Sequence, residues 1–195
     1  MAPTHLCLVS FATIFLCVFS LSPLPTTFAA TTILRKPLVP KAKVPLPKAS
    51  KLVEKICNGD YIVKHRFCLK VLSNPEAAAA KKGNELTKVV MKMAVPNAQK
   101  TLNIITQMAS HGLPKELGVL KSCMNDYTHA IRSFGMVPDE MVQDRITANY
   151  DIHFVSTDAL HCDTAIAAAK IQLPQISAGN QLLRYYSSIV SELTN

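Results

Sequence analysis

The chain has 195 residues, of which 49% are hydrophobic and 17% are charged. This length suits a single domain, and so apolar a composition excludes a disordered or linker-like protein. The formal net charge of +8 leaves nucleic acid, an anionic surface or an acidic polymer open as partners. The positions of the charged residues and of the six cysteines along the chain decide among these classes.

An apolar segment near the N terminus predicts a secretory signal peptide. Residues 1–34 contain no Asp, Glu, Lys or Arg, and residues 6–21 are almost continuously apolar. This run of about 16 residues is shorter than the roughly 20 that a membrane-spanning helix needs. Thr27 and Ala29 supply the small side chains of a cleavage site after Ala29. We therefore expect a signal peptide over residues 1–29 and a secreted product, with an uncleaved N-terminal anchor as the alternative.

The positive charge is concentrated in the next segment, residues 30–51. It contains four prolines and no acidic residue, and its basic residues include Arg35, Lys36, Lys41, Lys43 and Lys48. Closely spaced prolines forbid a helix and favour an extended conformation, so we expect a basic linker. Its two interpretations are a solvated spacer and a tether to an anionic extracellular polymer. The remaining residues 52–195 are close to neutral, which argues against nucleic-acid binding.

Four of the six cysteines lie beyond the predicted signal peptide, and they are Cys57, Cys68, Cys123 and Cys162. Four cysteines in a secreted chain predict two disulfides, with three pairings open. No C-x-x-C spacing is present, so we expect no metal site. The chain also has no nucleophile, phosphate-loop or cofactor motif. We therefore expect no catalytic residues, no cofactor and no enzymatic activity.

The rest of the chain is predicted to be helical. Asn74 and Pro75 are typical of a helix start, and this helix should continue to His111 with a kink at Pro96. Residues 113–134, 152–169 and 182–193 each carry apolar residues at steps of three and four, which indicates one buried stripe per helix. No segment alternates with period two over a useful length. Four such helices predict an all-α protein, an up-down four-helix bundle.

The cysteines also bear on the helix register. Cys123 and Cys162 lie on or beside the stripes of successive helices. If these two cysteines bridge antiparallel neighbours, the turn between the helices should lie near residues 142–143. That position falls within residues 138–147, a polar segment that we expect to be irregular.

Three segments of the chain resemble the plant invertase and pectin methylesterase inhibitor family. They are residues 56–75 (ICNGDYIVKHRFCLKVLSNP), 121–131 (KSCMNDYTHAI) and 155–166 (VSTDALHCDTAI). The resemblance covers residues 52–195 and implies a bundle with a short N-terminal helical hairpin extension. It further implies the disulfides Cys57–Cys68 and Cys123–Cys162, and a location in the apoplast, the plant cell-wall space. The implied function is to inhibit an extracellular carbohydrate-active enzyme by docking over its active-site cleft.

The same resemblance points to a candidate target-binding face. Pectin methylesterase inhibitors usually carry acidic residues two and six positions after the third cysteine, where this chain has Asn125 and His129. We expect the outward face of this helix, formed by Asn125, Thr128, His129 and Arg132, to contact the target. Pectin methylesterase is the expected target, and acid invertase is the alternative. A third possibility is a non-inhibitory apoplastic protein held on pectate by the basic linker, with neither nucleic acid nor membrane as a partner.

Overall fold

The computed structural model of the protein describes residues 49–112 and 114–195, so the predicted signal peptide and nearly all of the basic linker lie outside the described residues. Within these two ranges the chain forms α-helices and no strand. The helices are α1 (Lys51–Cys57), α2 (His65–Val71), α3 (Pro75–Ala79), α4 (Gly83–His111), α5 (Pro114–Gln143), α6 (Arg145–Ala168) and α7 (Pro174–Thr194). The all-α prediction is confirmed.

The four long helices α4 to α7 form the predicted up-and-down bundle. Helix α4 packs against α5 and α7, and α6 packs against the same two helices. Each helix therefore lies beside its neighbours in sequence, as short connections between antiparallel helices require. The short helices α1 and α2 contact each other and α7, while α3 contacts α4. The N-terminal helical hairpin is thus an extension attached to one side of the bundle.

The apolar stripes supply the core, as predicted. The residues of these stripes that are buried include Leu120, Tyr127 and Phe134 on α5, Ile152, Val155, Ala159, Cys162 and Ile166 on α6, and Tyr186, Ile189 and Leu193 on α7. Other stripe positions differ from the prediction. Leu117, Met124 and Ile131 on α5 and Leu182 on α7 are only half-buried, and Ala169, just beyond the end of α6, is exposed.

The turn between α5 and α6 is tighter than the sequence suggested, and the prediction of an irregular segment over residues 138–147 is wrong. Helix α5 continues through Pro138 to Gln143, since the buried side chains of Val137 and Met141 hold its last turns on the core. The chain reverses at Asp144, whose carboxylate accepts hydrogen bonds from the Ile146 amide at 3.0 Å and the Thr147 hydroxyl at 2.8 Å. One capping side chain therefore takes the place of a loop.

The start of the bundle also differs from the prediction. Asn74 caps α3 as expected, and its side chain accepts a hydrogen bond from the Ala77 amide at 2.9 Å. The helix does not continue to His111, however, because α3 ends at Ala79 and α4 begins at Gly83. The Glu85 carboxylate accepts a hydrogen bond from the Lys81 amide at 2.6 Å, which satisfies a donor in the break. Helix α4 then runs unbroken through Pro96.

Two disulfides brace these elements. Cys57 and Cys68 join α1 to α2 with 5.5 Å between their Cα atoms, and Cys123 and Cys162 join α5 to α6 with 4.8 Å. All four cysteines are buried. The Phe67 ring on α2 packs against the rings of Tyr185 and Tyr186 on α7, with centroids 5.2 and 5.0 Å apart. The extension is thus held by a covalent bridge within it and by aromatic contacts to the bundle.

Helix α7 approaches α4 and α5 closely at Gly179. A Cβ atom on this residue would lie 2.4 Å from Thr101 Cγ2 and 2.5 Å from the Tyr127 hydroxyl oxygen. Both neighbours are buried, so neither can move into solvent. Glycine is therefore the residue that allows three helices to meet at this level of the core.

The first testable prediction concerns this contact. We expect Gly179→Ala to lower the free energy of unfolding by about 1–3 kcal/mol, because the added methyl group overpacks the core. Gly135→Ala is the matched control, since a Cβ at Gly135 meets no atom within 4 Å. The control should raise stability by about 0.5–1 kcal/mol through the better helix propensity of alanine. Guanidinium unfolding with the disulfides intact measures both, and wild-type stability in Gly179→Ala would contradict the described packing.

Candidate target-binding site

The predicted target-binding residues lie together on the outer surface of α5. Asn125, Thr128, His129 and Arg132 are all exposed, while Tyr127 on the opposite side of the helix is buried. Their spacing of three and four residues places them on one face of a helix. The structure thus brings these four side chains into one surface, and that surface borders α6.

Two carboxylate–histidine pairs cross from α5 to α6 at this border. His129 donates from Nδ1 to Asp158 at 2.7 Å, and His161 donates from Nδ1 to Asp126 at 2.9 Å. The pairs are reciprocal, because each helix contributes one histidine and one aspartate. The imidazole rings are largely exposed, whereas only 15% of the Asp158 side chain and 12% of the Asp126 side chain are accessible. The outer surface therefore presents histidine, with the carboxylates beneath.

The electrostatics of the two pairs follow from this burial. Burial raises the pKa of Asp158, and the hydrogen bond and charge of His129 act in the opposite direction. The hydrogen bond and the negative charge of Asp126 raise the pKa of His161. Because each histidine uses Nδ1 toward its aspartate, its Nε2 is left for solvent or a binding partner.

We call the outward surface along the α5–α6 contact, formed by residues 121–142 and 146–161, the seam surface. Five large apolar side chains of α5 and α6 are at least one-third exposed, namely Met136, Val142, Ile146, Tyr150 and Leu160. Leu160 lies at the edge of the seam surface toward α7. Elsewhere in the described part of the chain, the comparable residues are Tyr61, Val63 and Met93. Large exposed apolar side chains are thus concentrated on two of the four bundle helices.

Aromatic contacts join the apolar and the polar parts of the seam surface. The Tyr150 ring packs edge-on against Phe154 with centroids 4.6 Å apart, and Phe154 packs edge-on against His129 at 6.0 Å. Beyond Leu160, a shallow groove of about 320 Å³ separates α6 and α7 from Tyr61 and Val63 of the N-terminal extension. The seam surface is therefore broad and continuous rather than a deep cavity, a shape that suits contact with another protein.

Sequence reasoning identified the α5 half of this surface and missed its partners. Asp126, Asp158 and Tyr150 were not among the predicted site residues, although all three border the predicted face. The available signal was the disulfide. Once Cys123 is paired with Cys162, the antiparallel register places Asp126 near His161 and His129 near Asp158.

Two further observations bear on what the described residues can do. The sulfur atoms of Cys123 and Cys162 lie within 4.8 Å of an Asp126 carboxylate oxygen, but the sulfurs form a disulfide and offer no thiolate to a metal.

Among residues 49–112 and 114–195, no helix is both long and apolar enough to span a membrane.

The fold and the site together define a class, disulfide-braced helical bundles with a helical N-terminal extension. The family model described as plant invertase/pectin methylesterase inhibitor matches residues 51–195. The chain therefore belongs to the plant invertase/pectin methylesterase inhibitor family, whose members are inhibitors rather than enzymes.

Solved structures agree on the fold. A pectin methylesterase inhibitor from Arabidopsis in a mutant form is 19% identical, with a TM-score of 0.65, over 75% of this chain and 97% of that one. Another structure, of a pectin methylesterase inhibitor from Arabidopsis thaliana, is also 19% identical, with a TM-score of 0.57, over 76% and 97% of the two chains. A comparison with curated protein sequences finds no match.

The second testable prediction concerns pH and stability. The pKa of His161 is higher in the folded chain than its ordinary value of 6.5. Its contribution to stability is therefore complete below that ordinary value and is lost as the pH rises through the folded-state pKa. We expect the melting temperature of the wild-type protein to fall between about pH 6 and about pH 8.

The variant His161→Gln should show a smaller fall over the same range, because it removes the titrating partner of Asp126. His153→Gln is the control, since His153 is exposed on the same helix and its ring forms no hydrogen bond with any described residue. Thermal melts followed by circular dichroism compare the three proteins. If the melting temperature of His161→Gln falls with pH as steeply as that of the wild type, the pair of His161 and Asp126 does not stabilise the folded chain.

Proposed function

We propose that this protein is a secreted inhibitor of a plant cell-wall pectin methylesterase and that it binds the enzyme through the seam surface. Membership of the inhibitor family supports the inhibitory class. The two solved structures described above are pectin methylesterase inhibitors, which favours this target over invertase. The concentration of exposed apolar side chains on α5 and α6 carries the assignment of the docking surface.

The composition of the seam surface suits a protein partner. Arg132, Tyr150 and Met136 are residue types that are enriched at protein interfaces, and arginine and tyrosine are enriched at their energetic centres as well. The histidines and Asn125 supply hydrogen-bonding groups around these anchors. A helical bundle that covers the enzyme's cleft excludes the pectin chain by occupying its space, so inhibition needs no chemical step by the inhibitor.

The contacts that hold α5 against α6 beneath the seam surface favour tight binding. The buried Cys123–Cys162 bridge and the two carboxylate–histidine pairs fix α5 against α6 before any partner arrives. Little conformational freedom is then lost on binding, and less of the contact energy is used to order the surface.

The third testable prediction is the inhibition itself. The protein, secreted from a host that forms its disulfides, should reduce the activity of at least one plant pectin methylesterase at micromolar concentration and acidic pH. Thr128→Trp should raise the inhibition constant at least tenfold, because the indole would stand on the seam surface between the two proteins. Titration against panels of pectin methylesterases and acid invertases measures this effect.

Thr106→Trp on α4 is the matched control. Thr106 is exposed, and its hydroxyl donates to the carbonyl four residues earlier, as that of Thr128 does, at 2.9 and 2.7 Å respectively. This variant should inhibit like the wild type. Inhibition of invertases alone would replace the proposed target, and inhibition of neither panel would refute the proposed function.

A second role rests on the basic linker, of which only residues 49–51 lie within the described part of the chain. We propose that its six basic residues, the five named above and Lys51, hold the protein on demethylated pectin in the wall. Because such binding is electrostatic, added salt should weaken it.

The fourth testable prediction follows from this role. Deletion of residues 31–50 should reduce retention on immobilised polygalacturonate at low salt, and the inhibition constant should remain unchanged. A variant that keeps the length of the linker but replaces Arg35, Lys36, Lys41, Lys43 and Lys48 by glutamine separates charge from length. Full retention of both variants would show that the linker is only a spacer.

A further inference from the structure

The half of the seam surface nearer the Cys123–Cys162 bridge, taken together with the adjoining residues 162–164, has an uneven distribution of charge. It comprises residues 121–136 and 150–164. Its ionisable side chains that are exposed to solvent are all basic groups or histidines, apart from the Tyr150 phenol: Lys121, His129, Arg132, His153 and His161. Its four aspartates, Asp126, Asp151, Asp158 and Asp163, are all partly buried. The exposed acidic residue Asp139 lies beyond this half, toward the α5–α6 turn.

Each of these carboxylates is already engaged within the protein. Asp126 and Asp158 accept hydrogen bonds from the two histidines. Asp163 accepts a hydrogen bond from the buried Asn180 side chain at 2.7 Å. Asp151 lies against Glu140, whose pKa is raised by burial and by this neighbouring carboxylate. The carboxylates of Asp126, Asp158 and Asp163 therefore bind groups within the bundle. All four aspartates are partly buried and poorly placed to meet a partner.

The lysine and arginine side chains of this half, unlike its aspartates, are not engaged by other groups of the described residues. Lys121 and Arg132 are exposed, and neither forms an ion pair with any residue of the described ranges. Their charged groups are consequently available to a docked protein. The imidazoles between them are neutral or cationic and never anionic.

We infer that the enzyme surface on which this half of the seam docks is acidic. This inference rests on the proposed function and specifies the partner, because it distinguishes among pectin methylesterases by the charge around their clefts. Complementary charges accelerate association and fix its register, whereas like charges disfavour a wrong partner. The seam surface should therefore select enzymes with acidic clefts over otherwise similar enzymes with basic ones.

The test compares two pectin methylesterases, one with an isoelectric point below about 5 and one above about 9, at a single pH. Dissociation constants and residual activity are measured for the wild type, for Lys121→Glu/Arg132→Glu and for Lys88→Glu/Lys100→Glu. The last variant is the charge-matched control, since Lys88 and Lys100 are exposed on α4, which does not contribute to the seam surface. Both variants change the net charge by the same amount.

The wild type should bind the acidic enzyme at least tenfold more tightly than the basic one, and this preference should shrink between about 20 and about 200 mM salt. The seam variant should lose at least tenfold in affinity for the acidic enzyme, and the α4 variant less than threefold. Equal binding of both enzymes, or equal losses in the two variants, would overturn the acidic-partner inference and leave inhibition standing. Binding to neither enzyme would overturn the proposed function as well.

Discussion

The bridge between Cys123 and Cys162 is the constraint on which the rest of the seam depends. It joins two helices whose connection is the single capping residue Asp144, so α5 and α6 are tied at the turn and again well along their length. Closing a loop with a sequence separation of 39 stabilises the folded chain by about 4 kcal/mol in a loop-entropy estimate. Because α5 and α6 are connected at both points, only one antiparallel register is possible. That register determines which residues contact each other between the two helices.

The register decides which side chains meet. In each pair, the aspartate of one helix lies beneath the histidine of the other. The paired residues are 29 positions apart in the sequence for His129 and Asp158, and 35 for Asp126 and His161. The carboxylates are thereby turned inward and the imidazoles outward. The same geometry leaves Tyr150 and Leu160 exposed beside the histidines. A structural device for holding two helices together thus also determines the chemistry that the surface offers to a partner.

The sequence predicted what depends on local patterns. Apolar steps of three and four marked the stripes of α5, α6 and α7, and Asn74 with Pro75 marked the start of α3, because periodicity and capping act within a few residues. The position of the α5–α6 turn was predicted to within two residues, but its length of a single residue at Asp144 was missed. Pro138 resembles a helix terminator, although packing of Val137 and Met141 outweighs its lost hydrogen bond. The break between α3 and α4 was missed because the alanine-rich run favours a continuous helix, although Gly83 follows it after two lysines. The carboxylate–histidine pairs depend on tertiary register, which no local pattern contains.

The central claim is that a target enzyme covers the seam surface and not another side of the bundle. Met136 on α5 and Met93 on α4 allow a direct comparison, because they are similarly exposed, at 40% and 37%. Hydroxyl-radical footprinting of the inhibitor, free and saturated with a pectin methylesterase, measures the oxidation of each. Protection of Met136 and Tyr150 with unchanged oxidation of Met93 is the result we predict. Protection of Met93 with Met136 still reactive would contradict the account.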